Sequence, residues 1–261
     1  MPDGLPVTRE ALPRTVRLVA SARLRDPVLL GLADQADLAA LAEIEGATSG
    51  RLIAEARGLG RLSPRELIHG VPHSAHINAA FAYPRPRAAN RFNGPARGAW
   101  YAALEAETCL AEVAFHLTRF LADTGVYEAV VDYAELHASF AGEFLDLRGT
   151  PDHPALDPDT AIGYPEGNRL ADAALAQGLN GILYPSVRHA GGTCIAALVP
   201  HAVQSVAQGG LWRLTWAGSP SLWSRRQASD QAAIALLTRR NGETAARACS
   251  TYSAFSPTGA T

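Results

Sequence analysis

Lysine is absent from this 261-residue chain: all 23 of its Lys+Arg side chains are arginines. A G-x-x-x-x-G-K phosphate loop, a Schiff-base enzyme, a protein kinase and a serine–lysine acylase all need an amine or ammonium nitrogen, so the gap excludes them. Anions must be held by guanidinium groups or backbone amides. Cysteine is scarce as well. Cys109, Cys194 and Cys249 are odd in number, widely spaced and without a C-x-x-C, which supports neither a disulfide framework nor a zinc knuckle. No apolar run reaches about 18 residues, and the N-terminus opens with Pro2, Asp3 and Gly4 instead of a basic patch and an apolar stretch. The expectation is a cytoplasmic protein with no membrane segment. An excess of one charge is missing too: 23 basic against 25 acidic residues leave −2, so no global field holds nucleic acid directly.

What is present suffices for a large core, with 48% hydrophobic residues against 18% charged. Thr15 to Val19 reads as a short strand, and Leu32, Leu38, Leu41 and Ile44 follow a helical spacing. Residues 66–100 read as loop, being rich in proline, glycine and histidine. Gly98 to Ala103 is a short apolar run, and Glu105 to about Ala122 is the clearest helix. Its stripe of Leu110, Val113, Ala114, Leu117 and Leu121 leaves Glu105, Glu112, His116 and Arg119 on the opposite face. Strands are expected at Val126 to Tyr133, Glu143 to Leu147, Gly181 to Tyr184, Thr193 to Val199 and Leu211 to Trp216. A loop over 150–168 precedes a helix from Asn168 to Gln177, and a last helix follows Asp230. Strands clustered after one central helix, without regular alternation, indicate an α+β fold.

Several residue types bear chemistry. Glu112 and His116 lie four apart on one helix face, a spacing that serves either a histidine-oriented carboxylate in a cleft or a solvated surface pair. Arg91 stands in the loop Asn90-Arg91-Phe92-Asn93-Gly94, where a guanidinium can fork onto phosphate or act as one loop cation among Arg85, Arg87 and Arg97. Tyr101, at a strand, is either a stacking aromatic or core. Tyr184-Pro185-Ser186-Val187-Arg188 before Gly191-Gly192 is not a nucleophile elbow, since G-x-S-x-G is missing. It reads as a nucleotide-contacting turn or a plain hairpin turn. His69, His73 and His76 are spaced as ligands, but Pro72 breaks the helix that would align them, and no metal is expected.

Together these segments resemble the RES domain family. Arg91-Phe92-Asn93, Gly98-Ala99-Trp100-Tyr101-Ala102-Ala103, Ala111-Glu112-Val113-Ala114-Phe115-His116 and Gly181 to Arg188 with Gly191-Gly192-Thr193-Cys194 occur in the family's order, over about half of the chain. The arginine, glutamate and serine of the family's name match Arg91, Glu112 and Ser186. The resemblance implies an ADP-ribosyltransferase-like mixed β core with flanking helices, a bacterial toxin of a toxin–antitoxin pair, and NAD as substrate. It divides the chain into an N-terminal helical extension packed on the core (1–70), a catalytic domain (71–250) and a flexible tail (251–261).

The implied roles are Glu112, Arg91, Tyr101 and His116 as catalytic residues, with Arg91, Tyr101, Ser186 and Arg188 contacting NAD. Glu112 would stabilise the cation left when the nicotinamide–ribose bond breaks, and Arg91 would bind the pyrophosphate. Tyr101 would stack on nicotinamide or shape its pocket, while Ser186 would hold a ribose hydroxyl or its turn. The implied partners are NAD, inorganic phosphate or a target protein as acceptor, and a cognate Xre-type antitoxin covering the cleft. Three readings follow: NAD depletion by phosphorolysis or hydrolysis with growth arrest, ADP-ribosylation of a host metabolic enzyme, or a catalytically silent nucleotide-binding protein. The Arg–Tyr–Glu–His set resembles most the branch with protein-modifying members.

Overall fold

The computed structural model describes residues 4–21, 62–82 and 89–227. The helix expected over Leu32 to Ile44, the last helix and the tail after Thr251 lie outside these residues. Among the described residues the α-helices and β-strands follow in order: β1 (Val7–Ala20), α1 (Ser74–Ala82), β2 (Trp100–Ala103), α2 (Ala106–Thr124), β3 (Glu128–Asp146), α3 (Thr160–Ala176), β4 (Gly181–Pro185), β5 (Thr193–Ala197), β6 (Val203–Ala217) and β7 (Leu222–Gln227). They form one mixed, seven-stranded sheet with helices packed on it, an α+β fold.

The strand order is β1-β2-β5-β4-β3-β6-β7, and β1 also pairs with β3. The pairings β1–β2–β5–β4–β3–β1 therefore close on themselves. Strand β3 pairs in parallel with β4 at Phe144 to Asp146 and antiparallel with β6 from Glu128 to Phe140. Strand β1 runs along β3 from Val7↔Leu145 to Ala20↔Tyr133. Its register shifts between Leu12 and Thr15, where Pro13 has no amide to give a ladder. The first strand, within residues 1–70, is thus a member of the sheet.

Both faces of the sheet are buried at β4 and β5, and the two-residue period of the strands sorts their side chains. On β5, Cys194 and Ala196 join one core cluster with Leu110, Leu170 and Trp216, while Ile195 and Ala197 join another with Ile77, Phe81 and Trp100. Three expectations need correcting. The two strands read at Val126 to Tyr133 and Glu143 to Leu147 are one, because Ala134, Leu136, Ala138 and Phe140 continue the buried alternation between them. The loop-rich segment after 66 contains α1, whose Ile77 and Phe81 pack against Trp100. Helix α3 begins eight residues before Asn168, with Asp159 as its N-cap accepting from the Ala161 amide at 2.9 Å.

Helix α2 runs as its stripe predicts, and Gly125 ends it in the left-handed conformation at φ 69°. Among the described residues no helix is long and apolar enough to cross a membrane.

Candidate active site

Helices α2 and α3 flank an open cleft of about 640 Å³, lined by His116, Arg119 and Asp123 from α2, by Thr160, Tyr164 and Asn168 from α3, and by Asn90. The volume suits a small-molecule ligand. Arg119 Nη1 donates to Thr160 Oγ1 at 3.0 Å and so ties the two walls together.

One turn before His116 on α2, Glu112 meets the turn that follows β4. Ser186 Oγ donates to Glu112 Oε1 at 2.7 Å while accepting from the amides of Arg188 and His189 at 3.2 and 3.1 Å. A hydroxyl has one proton, and with two amides aimed at its oxygen that proton goes to the carboxylate. Ser186 is thus an orienting group and not a nucleophile. It leaves Glu112 Oε2 for other partners.

Arg188 lies over the Phe115 ring with its Cζ 3.4 Å from the centroid, and its Nη2 donates to the Pro158 carbonyl at 2.8 Å. Partial burial lowers its pKa from the ordinary arginine value; the Glu112 charge counters that shift, and Arg91 adds to it. Tyr164 stands at the focus. Burial raises its phenol, the charges of Arg91, Arg188 and Arg119 pull it back, and Glu112 pushes it further up. Three guanidiniums and one carboxylate thus act on this phenol, a charge balance that suits an anionic ligand.

Arg91 is buried at 8% exposure. Its Nη1 donates to the carbonyls of Ala155 and Asp157 at 2.6 and 3.0 Å, and its Cζ lies 5.5 Å from the Tyr164 centroid. Helix α3 reaches the Arg91 loop only because Gly163 and Gly167, four apart, face it. A Cβ on Gly163 would lie 2.6 Å from Arg91 Nη1, and one on Gly167 would run into the Arg91 carbonyl oxygen. Asn168 Nδ2 completes the joint by donating to the Asn90 carbonyl at 2.7 Å.

Tyr101 Oη accepts from the Phe92 amide and donates to Asn93 Oδ1, both at 2.9 Å. Burial holds its phenol far above the usual range. Its hydroxyl is thereby engaged in fixing the Arg91 loop. Of the residues singled out from the sequence, Glu112 and Ser186 are in direct contact, the charges of Arg91 and Arg188 both act on Tyr164, and His116 lines the cleft. Sequence reading does not single out Tyr164, Asn168 or Asn93, which the structure brings against these residues. Tyr164 and Asn168 fall in or beside a glycine- and proline-containing stretch that reads as loop, whereas Asn93 stood within the Arg91 motif without a role. His69, His73 and His76 are not among the residues that line this cleft.

The frame is a closed mixed sheet with a helix-borne carboxylate that accepts from a strand-end serine. The chain belongs to the RES domain family, whose model matches residues 67–217. Strand β1 precedes the matched span. Among solved structures the chain is similar to one described as the crystal structure of the M. tuberculosis MbcT–MbcA toxin–antitoxin complex. The identity is 18% over 48% of this chain and 73% of that one, with a TM-score of 0.34. No curated protein matches the chain.

Proposed function

We propose that the protein consumes NAD by breaking the bond between nicotinamide and ribose, and that it acts as the toxin of a toxin–antitoxin pair. The observation that carries the reading is the Glu112 carboxylate, held through one oxygen by Ser186, with the Arg188 guanidinium two residues along the same turn. As the bond breaks, its electron pair leaves with nicotinamide and the ribose becomes an oxocarbenium-like cation. An ionised carboxylate beside that carbon lowers the barrier. Glu112 Oε2 takes this role. The diphosphate bridge of NAD needs cations, and without lysine they are arginines: Arg188, Arg119 and the Nε and Nη2 edge of Arg91, whose Nη1 is committed to carbonyls. Tyr101 shapes the pocket by holding the Arg91 loop, and His116 lies one turn from Glu112 for a ribose hydroxyl or the acceptor.

Water or inorganic phosphate completes the reaction by attacking the ribose carbon, giving ADP-ribose or its 1″-phosphate and releasing a proton from the nucleophile. The second acceptor class is a protein side chain. His116 and Arg119 are exposed at the cleft mouth, which leaves room for one. Incubating the pure protein with NAD, with and without phosphate and cell lysate, separates ADP-ribose, ADP-ribose 1″-phosphate and labelled protein. Unchanged NAD in every arm contradicts the reading and favours a silent nucleotide-binding protein.

The same cleft is where a cognate antitoxin of the Xre type would dock. Phe120 and Ile162, 49% and 50% exposed, are next in sequence to the cleft residues Arg119 and Ala161. Apolar groups beside guanidiniums suit a partner segment with acidic and apolar side chains. Co-purification with the adjacent gene product tests this. A complex that leaves NAD consumption unaffected would contradict docking at the cleft.

A further inference from the structure

We infer that His189 is a positioning residue for Glu112, acting through the Ser186 turn, with its ring fixed by Thr108 and Glu105. The inference rests on the reading of Glu112 as the carboxylate facing the scissile bond.

Thr108 is fully buried. Its Oγ1 lies 3.3 Å from Glu105 Oε2 and 2.9 Å from His189 Nδ1. An ionised carboxylate only accepts, so the single hydroxyl proton of Thr108 goes to Glu105. The hydroxyl oxygen must then accept from His189, which requires the proton on Nδ1. The chain of donors runs His189 Nδ1–H to Thr108 Oγ1–H to Glu105 Oε2, and it selects one tautomer of the ring.

The consequence for the site is geometric. Thr108 and Glu112 are four apart, one helical turn, on the same helix, while His189 and Ser186 are three apart in one turn. The turn after β4 is therefore fastened to α2 at two points, Thr108–His189 and Glu112–Ser186. Inside the turn, the Ser186 amide donates to the Gly192 carbonyl at 2.8 Å and the Gly192 amide to the His189 carbonyl at 3.0 Å, so a displacement at His189 reaches Ser186. Gly192 passes so near this joint that a Cβ there would lie 2.5 Å from Thr108 Oγ1 and 2.9 Å from His189 Nδ1. The His189 amide itself donates to Ser186 Oγ, and this bond helps commit the serine proton to Glu112. Releasing the ring from Thr108 frees the turn to pivot, and the hydroxyl loses its aim at Oε1.

Two measurements test this. In NAD turnover, His189→Ala should lower kcat about tenfold with KM within about twofold of wild type, because the loss falls on transition-state stabilisation and not on binding. His189→Asn, whose side-chain NH2 can stand in for Nδ1–H, should recover most of that rate, and Thr108→Val should reproduce the loss. A raised KM with unchanged kcat, or no rescue by Asn, would overturn the proposal. In NMR of 15N-histidine-labelled protein, the neutral His189 ring should carry its proton on Nδ1 in wild type and lose that preference in Thr108→Val; a wild type protonated on Nε2 would overturn the relay. If wild type consumes no NAD in any arm, the functional reading fails and with it the role toward Glu112, while the NMR result still decides the relay.

Discussion

Ser186 Oγ donates to Glu112 Oε1 at 2.7 Å with two backbone amides at its back, so one serine proton decides which face of the carboxylate is left for chemistry. Ser186→Ala should therefore cost about 10- to 100-fold in kcat, the worth of a hydrogen bond to a charged group, about 1.5–3 kcal/mol. In a Glu112→Gln background the same change should cost little more, because the serine acts through the glutamate. A kinetic double-mutant cycle checks this; additive losses would mean that Ser186 contacts NAD independently.

Arg188 is held flat on Phe115 and anchored at the Pro158 carbonyl. Arg188→Ala should raise KM for NAD about tenfold, by removing one guanidinium from the anion field. Arg188→Lys should not restore it, since an ammonium cannot stack on the ring and fork onto phosphate from the same place. Steady-state kinetics on both variants is the check.

The approach of α3 to the Arg91 loop depends on Gly163 and Gly167. Although alanine favours helix, Gly167→Ala should destabilise by about 1–3 kcal/mol, because backbone and not a flexible side chain blocks the added Cβ. Its Tm should fall and NAD turnover with it, as Tyr164 and Asn168 move with the helix. A stabilised, fully active variant would show that this close contact is not needed.

Away from the cleft, Glu135 is 1% exposed and accepts from Trp212 Nε1 at 2.7 Å, the Gly210 amide at 3.1 Å and His137 Nε2 at 3.0 Å. Burial acts to raise its pKa, and these donors outweigh it, holding the carboxyl below the ordinary glutamate value of 4.5. A folded-state value below the unfolded one means that stability is fully gained above the unfolded value and lost as pH falls through the folded one. Glu135→Gln should cost roughly 3 kcal/mol at neutral pH and flatten the acid limb of the stability curve. Denaturant midpoints measured between neutral and acid pH would show it; an unchanged acid limb would contradict this account of Glu135.

Much of the fold was legible where one face of an element is buried. The stripe from Leu110 to Leu121 gave α2, and the short apolar runs gave β2, β4 and β5. What escaped depends on partners far along the chain. Gly163, Pro165 and Gly167 look like loop until the Arg91 backbone that needs the glycines is in place. The middle of β3 carries Glu135 and His137, which read as polar interruptions until Trp212, Gly210 and Arg226 are seen to satisfy them. In the site, Glu112 and Ser186 stood out through the family's motif, and their spacing alone did not distinguish them from surface groups. Tyr101 likewise has its hydroxyl occupied by Phe92 and Asn93, which residue type alone does not reveal.

Glu112 is proposed to stabilise the cation left as the nicotinamide–ribose bond of NAD breaks. The most direct test is nicotinamide release from NAD by pure wild-type protein and Glu112→Gln at equal concentration, with and without phosphate, after circular dichroism has shown both folded. Wild type should release nicotinamide, and Glu112→Gln should lose at least about a hundredfold of that rate, the scale of a lost electrostatic stabiliser. Equal release by the two proteins, or none by wild type, would contradict this role.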